Sequence, residues 1–359
     1  MKYAHNINKR EDAPVEPPHG FIKNNTPSFF QRNNMQGYQN MNTEKTIFSF
    51  WEPKGNMTPY LELCRKTWER NLPDYEIIFL DYSNLGLYLP EGAYDMNILR
   101  KLTLMMQKDA VMVAVLKEHG GIFMDADTLV TGDLAPLLRM LSHTEVVMFS
   151  AHMAFVAAQP GSYLLTLWYK KIQQKLNFLK EEKDGAPQFQ QWDFIGNSSL
   201  ADVMDEMIGT LGFFHRIPKN ISDKFVSAYM KITHNENLLT PRLKELINRL
   251  GSSLARRKRE FYFRHVFKHH LTMLDRLEYG FIPEALYFKS KRMMPEEKYR
   301  KFWFDKNIEI KDSLRSNQSL IGLHHSWTPE WYKELSEKEV LENDFLLSRT
   351  LKHILGLRL

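Results

Sequence analysis

In the stretch His119-Gly120-Gly121-Ile122-Phe123-Met124-Asp125-Ala126-Asp127, two carboxylates one residue apart follow a short apolar run. Side chains at i and i+2 of an extended backbone point the same way, so Asp125 and Asp127 can face one ion with only Ala126 between them. Oxygen ligands of this kind suit hard divalent cations such as Mg²⁺ or Mn²⁺, which commonly also hold phosphates. An isolated Asp-x-Asp is a weak signal, and for such a match a solvated turn with Asp127 capping the chain at Thr128 is the reading to prefer. A third carboxylate changes the balance. Residues 97–117 have a helical pattern in which Leu102, Met105, Met106, Val113 and Leu116 recur at three- and four-residue intervals. Asp109 falls on that apolar stripe, where a carboxylate calls for a ligand or a cation; a buried salt bridge and a functional role account for it equally well.

The elements that must position these groups are readable around them. Thr46-Ile47-Phe48-Ser49-Phe50-Trp51 reads as a strand stopped by Pro53 and Gly55, and Thr58-Pro59 starts a helix that runs to Asn71. Residues 75–81 form a second strand, and Gly120 ends the helix before Asp125. Strand, helix, strand, helix, strand with short links predicts a parallel sheet with right-handed crossovers, whose ligands gather at the carboxyl ends of the strands. Phe50-Trp51, Asp81 and Asp125-Asp127 all fall there. Beyond a strand over 145–150, the loops Ala151-His152-Met153 and 194–199 are candidate substrate loops, with Asn197 or Ser198 as a helix cap the preferred reading of the second. Residues 330–355, with Leu335, Val340, Leu341, Leu347, Leu351 and Ile354, predict an amphipathic helix that covers the core.

With 359 residues, 43% of them hydrophobic and 13% aromatic, the chain can bury a large α/β core. It has no apolar run of the roughly 18 to 20 residues that span a bilayer and no signal-peptide pattern, so an intracellular location is expected. Cys64, the single cysteine, rules out an internal disulfide framework and reads as a packed helix residue beside Tyr60, Leu61 and Trp68. The expected organisation is a disordered segment over 1–43, a core over 44–235, a basic helix-like insertion over 236–284 and a closing part over 285–359. The net charge of +5 is modest. The local run Arg256-Arg257-Lys258-Arg259 with Phe261-Tyr262-Phe263-Arg264 and Phe267-Lys268-His269-His270 suits an anionic membrane surface through residues 256–270. Nucleic acid and a plain solvated face are the alternatives weighed for it, and no nucleic-acid partner is expected.

Residues 45–51, then Lys108-Asp109-Ala110 leading into 119–127, and finally Leu323-His324-His325-Ser326-Trp327, together resemble glycosyltransferase family 32 and the related capsular polysaccharide synthesis proteins with a sugar-binding Asp-x-Asp motif. The resemblance covers residues 45–150 and the closing motif. It implies a GT-A nucleotide-diphospho-sugar transferase fold, a Rossmann-like mixed and mostly parallel sheet with added C-terminal helices, using Mn²⁺ or Mg²⁺. Trp51 matches the aromatic that stacks on uracil, with Ser49 and Phe50 beside it, and Asp109 matches the carboxylate that holds sugar or ribose hydroxyls. Asp127 matches a direct metal ligand, while Asp125, next to Ala126, acts through water or a ribose hydroxyl. His324 or His325 is a further metal candidate, and Ser326 and Trp327 are candidate donors to the diphosphate. The chain departs from the family at Met112, where an arginine three residues after the helix aspartate is usual, so a cation beside Asp109 is expected to be missing.

The resemblance implies a retaining transferase, in which the departing phosphate oxygen takes the acceptor's proton and no dedicated base is needed. The expected activity is transfer of a hexose, galactose or glucose first, from a UDP-sugar to a lipid-linked saccharide in bacterial surface-polysaccharide assembly, at the inner face of the cell membrane. A transferase acting on a protein, and a non-catalytic membrane- or nucleic-acid-binding protein, are the alternatives.

Overall fold

Alternating β-branched and aromatic residues make Thr46–Phe50 the strand β1, which pairs in parallel with β2, Glu76–Leu80, on one side and β3, Gly121–Met124, on the other. The computed structural model describes residues 45–149, 152–182, 186–209, 266–286, 296–315 and 318–358, all within the unit Asn42–Leu359. The segment expected to be disordered, 1–43, and the basic run 256–259 lie outside the described residues.

Helix α1, Pro59–Asn71, links β1 to β2, with Pro59 in its first turn, where a missing N–H costs nothing. A short helix α2, Met96–Leu99, precedes α3, Leu104–His119. The expected single helix over 97–117 is thus two, and its apolar stripe is wider than the spacing indicated. Residues 106–116 are buried on every side except at Lys108, and Met105 is exposed. Helix α3 ends as expected at Gly120, whose φ of 66° suits glycine. An added Cβ there would lie 2.6 Å from Pro160 Cδ.

After β4, Thr128–Val130, and the short helix α4, Ala135–Leu138, come β5, Val146–Phe149, and β6, His152–Ala158. Helices α5, Tyr163–Glu181, and α6, Asn197–Gly209, follow, and then β7, Leu271–Leu274. Among the described residues the main sheet has six strands in the order β2-β1-β3-β6-β5-β7. Only β6 runs against its neighbours, so the sheet is mixed and mostly parallel, as expected for the GT-A type. The helix-like reading of 236–284 fails at β7: Leu271 and Leu274 are buried, and the strand pairs in parallel with β5.

Period-two alternation sends Ile47, Ile122 and Met124 to one face and Phe48 and Phe123 to the other. Helices α3, α5 and α6 cover the second face. The first is covered by α1 and the C-terminal helices α7, Glu296–Trp303, α8, Glu330–Lys333, α9, Glu337–Glu342, and α10, Leu346–Ile354. The single amphipathic helix expected over 330–355 is therefore broken. Ser336 and Glu339 form a reciprocal capping box that starts α9, and extended backbone at Asn343 and Phe345 separates it from α10. Its apolar positions Val340, Leu347 and Leu351 still cover the core. Among the described residues no helix is long and apolar enough to cross a membrane.

A second sheet positions the site. Strand β4 pairs antiparallel with β8, Leu320–Gly322, matching Thr128 to Gly322. Its other edge is closed by α1 side chains: Trp68 Nε1 donates to Thr128 O at 2.6 Å, Val130 N donates to Thr67 Oγ1 at 3.0 Å, and Asn71 Nδ2 donates to Val130 O at 2.9 Å. A two-stranded ribbon is marginal alone, and these bonds leave β4 little freedom.

Candidate functional site

At the end of β3 the backbone N–H of Asp125 donates to Ala154 O on β6, and Thr128 N then donates to Asp125 O at 3.0 Å. Asp125-Ala126-Asp127 is therefore a turn, not extended backbone. The turn brings the two carboxylates close enough that their charges interact. Asp127 Oδ2 accepts the His325 N–H at 2.6 Å. Burial, and then the negative charge of Asp125, push the Asp127 carboxyl up to about 7.

The ribbon brings the closing motif to this turn. Because Thr128 faces Gly322, Leu323 N reaches Asp127 O at 3.1 Å, and the chain then passes over Asp127 as His324-His325-Ser326-Trp327. Gly322 permits the approach, since an added Cβ would collide with the Phe281 ring. The His325 ring stacks on Tyr60 with centroids 5.6 Å apart, shares a 2.5 Å hydrogen bond between Nδ1 and the Tyr60 hydroxyl, and meets Trp51 edge-on at 5.1 Å. His324 lies against Trp327 at 4.1 Å and Tyr299 at 5.6 Å. Burial, assisted by Arg276 for His324 and Lys333 for His325, lowers both imidazoles to about 4, so both are neutral at pH 7. Ser326 is exposed and Trp327 partly so.

Of the expected base-pocket residues, Trp51 is partly exposed and joins this group. Ser49 and Phe50 do not: they are 0% and 3% exposed, with Phe50 packed edge-on against Tyr82. Asp81 is occupied locally by Ser83, whose backbone N–H donates to it at 2.8 Å.

The cation expected to be missing beside Asp109 is present. Lys108 Nζ lies 2.9 Å from Asp109 Oδ1 and 2.9 Å from Asp125 Oδ1. Burial works against the ammonium, but Asp109 and Asp125 more than offset it and hold Lys108 above the ordinary lysine range. Asp109 is 1% exposed, and burial raises its carboxyl against the pull of Lys108. It faces protein, beside Lys108, and its Oδ1 has no hydrogen-bond partner. Its second oxygen is covered by Gly196, where an added Cβ would run into Asp109 Oδ2 and approach Met153 Cε at 2.5 Å. Loop 194–199, read from sequence as a helix cap, thus both leads into α6 and closes over Asp109, with Lys175 Nζ tying it down through Phe194 O and Ser198 Oγ at 2.9 Å each. Gly196→Ala is expected to cost about 1–3 kcal/mol through overpacking. A melting temperature unchanged from the parent chain would show that the loop does not press on Asp109.

Among the described residues no group of three or more His, Cys, Asp or Glu is gathered as a complete metal cage. The charges nevertheless fit a divalent cation. Lys108 stands against three carboxylates, Asp109, Asp125 and Asp127, and the last is paired only with a backbone N–H. Mg²⁺-like ions are usually held by one or two carboxylates, with phosphates and water completing the sphere.

Residues 4–179 match the model of a family described as capsular polysaccharide synthesis protein. The match spans β1 to β6 and most of α5, and includes Trp51, Lys108, Asp109 and the Asp125–Asp127 turn. No curated protein matches the chain. Among solved structures, a chain titled PaToxG Glycosyltransferase aligns with 57% of this chain and 84% of its own length at 17% identity, with a TM-score of 0.32.

Proposed function

We propose that the protein is a glycosyltransferase of surface-polysaccharide assembly that moves a hexose from a UDP-sugar to a saccharide acceptor with retention of configuration. The observation that supports this most is the convergence of Asp125, Asp127, Lys108, Trp51 and the His324–Trp327 segment at the carboxyl end of β3, where parallel sheets bind nucleotides. The family match over residues 4–179 supports the polysaccharide context. Trp51 offers an aromatic face for the base, and Ser326 and the Trp327 indole offer donors for the diphosphate. Asp127, with Asp125 nearby, would hold Mn²⁺ or Mg²⁺. Bound there, the ion supplies positive charge to the diphosphate as it leaves.

The transfer breaks the bond from the anomeric carbon to the β-phosphate oxygen and forms one to an acceptor hydroxyl oxygen, while the acceptor's proton passes to the departing phosphate oxygen. No side chain in the site is placed as a free general base: Asp127 is held by His325 N, and Asp125 and Asp109 by Lys108. A lipid-linked acceptor would be met at the inner membrane face, with residues 256–270 as the basic contact.

A thermal-shift series with UDP, UDP-glucose and UDP-galactose, each with and without Mn²⁺, tests this reading. Ligand at about 100 times its Kd should stabilise the native chain by roughly 2.7 kcal/mol. The shift is expected with the uridine ligands and to require Mn²⁺; no shift with any of them would refute the assignment.

A further inference from the structure

Two polar groups of the site remain without a role in this scheme: the ammonium of Lys108 and the carboxylate that anchors it. Lys108 is the one residue in 106–116 of α3 that is not buried, and its side chain is 12% exposed. Asp109 is 2% exposed and Asp125 24% by the same measure. The arrangement is graded from inside to outside: a buried carboxylate, an ammonium at the boundary, and a carboxylate at the surface of the site. An ammonium carries three N–H donors. One is donated to Asp125 Oδ1 at 2.9 Å, while Asp109 Oδ1 lies 2.9 Å from the same nitrogen as an ion-pair partner without a hydrogen bond, so the ammonium has donors left.

A charged ligand group is a poor match for what this pair presents. Two carboxylates against one ammonium leave a net negative charge, which repels a phosphate unless the cation at Asp127 intervenes. A sugar hydroxyl is neutral, and both donates and accepts. Lys108, with N–H donors beyond the one given to Asp125 Oδ1, and Asp125, with a second carboxylate oxygen, offer those two complements within one ion pair. Asp109, whose other oxygen lies where a side chain at position 196 would have to go, holds the ammonium from behind as its buried counter-charge. Among the described residues no other lysine or arginine pairs with Asp109 or Asp125, and Met112, one turn further along α3, is fully buried.

We infer that Lys108 and Asp125 together read a hydroxyl of the donor sugar, with Asp109 as the positioning residue that holds Lys108 in place. This rests on the UDP-sugar reading above, and assigns its sugar half to residues other than Asp109. Lys108 is then a specificity determinant of the sugar and not of the nucleotide.

Competition binding of UDP and of UDP-galactose or UDP-glucose, in the presence of Mn²⁺, separates the possibilities. In Lys108→Met the affinity for the UDP-sugar is expected to fall about tenfold, the effect of losing one charge-assisted hydrogen bond, while that for UDP stays within about twofold. Equal losses for both ligands, or no loss for either, would overturn the assignment of Lys108 and leave the UDP-sugar reading standing. A parent chain that binds neither UDP nor UDP-sugar would overturn both. Should Lys108→Met fail to fold, Lys108→Arg keeps a cation between the carboxylates but moves its donors. It is expected to weaken the UDP-sugar alone, and parallel changes in UDP would again overturn the proposal.

Discussion

Asp127→Asn is expected to lower UDP-sugar turnover by about 10²–10³, the usual cost of removing one charge-stabilising group from an active site. The Mn²⁺-dependent thermal shift should disappear with it. Asparagine keeps a side-chain oxygen for the 2.6 Å bond from His325 N, so the closing segment stays in place and the loss reports on charge rather than on folding. The metal-free chain should respond in the opposite sense. The folded Asp127 carboxyl titrates at about 7, above its reference value of 3.8, because burial and Asp125 disfavour its charge. The folded state therefore holds this proton more tightly than the unfolded chain, and stability should rise as pH is lowered through about 7 towards 4. Above pH 7 the parent carries an unfavourable charge that Asp127→Asn lacks, so the metal-free variant should melt no lower than the parent at pH 8 and should lose this part of the pH slope. Unchanged turnover would remove Asp127 from the metal site, and an identical slope in both chains would mean that burial does not raise its carboxyl.

What the sequence disclosed depended on range. β1, α1 and β2 were legible because strand periodicity, the Thr58-Pro59 start and the polar turn after Leu80 act within a few residues. Gly120 marked the end of α3 for the same reason. The ribbon of β4 and β8 was not legible, since three-residue strands carry no periodic signal and their partners lie about 190 residues apart. The closing motif was visible as residue types, but its contact with Asp127 depends on that pairing. Asp109 was singled out as a carboxylate in need of a cation, and its partner was the adjacent residue. Neighbours on a helix do not face one another as a rule, yet the long Lys108 stem places its Nζ 2.9 Å from both Asp109 and Asp125. The width of the buried surface of α3 follows from its place between the sheet and α5, a tertiary fact that overrides the stripe. The break in the C-terminal helix had a local sign, Ser336 followed three residues later by Glu339, within an apolar pattern that ran on across it.

Trp68→Ala is expected to produce the largest loss of stability, about 3–5 kcal/mol for a buried aromatic, out of a total that for most domains is about 5–15 kcal/mol. The indole is fully buried, stacks on Phe79 at 5.4 Å and donates to Thr128 O, the residue next to Asp127. Trp68→Phe isolates the last of these contacts. It keeps an aromatic against Phe79 but leaves the Thr128 carbonyl buried without its donor, at a cost of about 1–3 kcal/mol. The corresponding change at Trp303, which is equally buried but whose Nε1 has no hydrogen-bond partner, forfeits no such bond and should cost less. The two variants also differ in reach. Freeing the edge of β4 lets Asp127 move relative to His325, so Trp68→Phe should weaken Mn²⁺-dependent UDP binding at a temperature where the chain is fully folded, whereas Trp303→Phe should not. Equal effects of the two on binding would mean that β4 is held by β8 alone, and that α1 contributes to the stability of the site without setting its geometry.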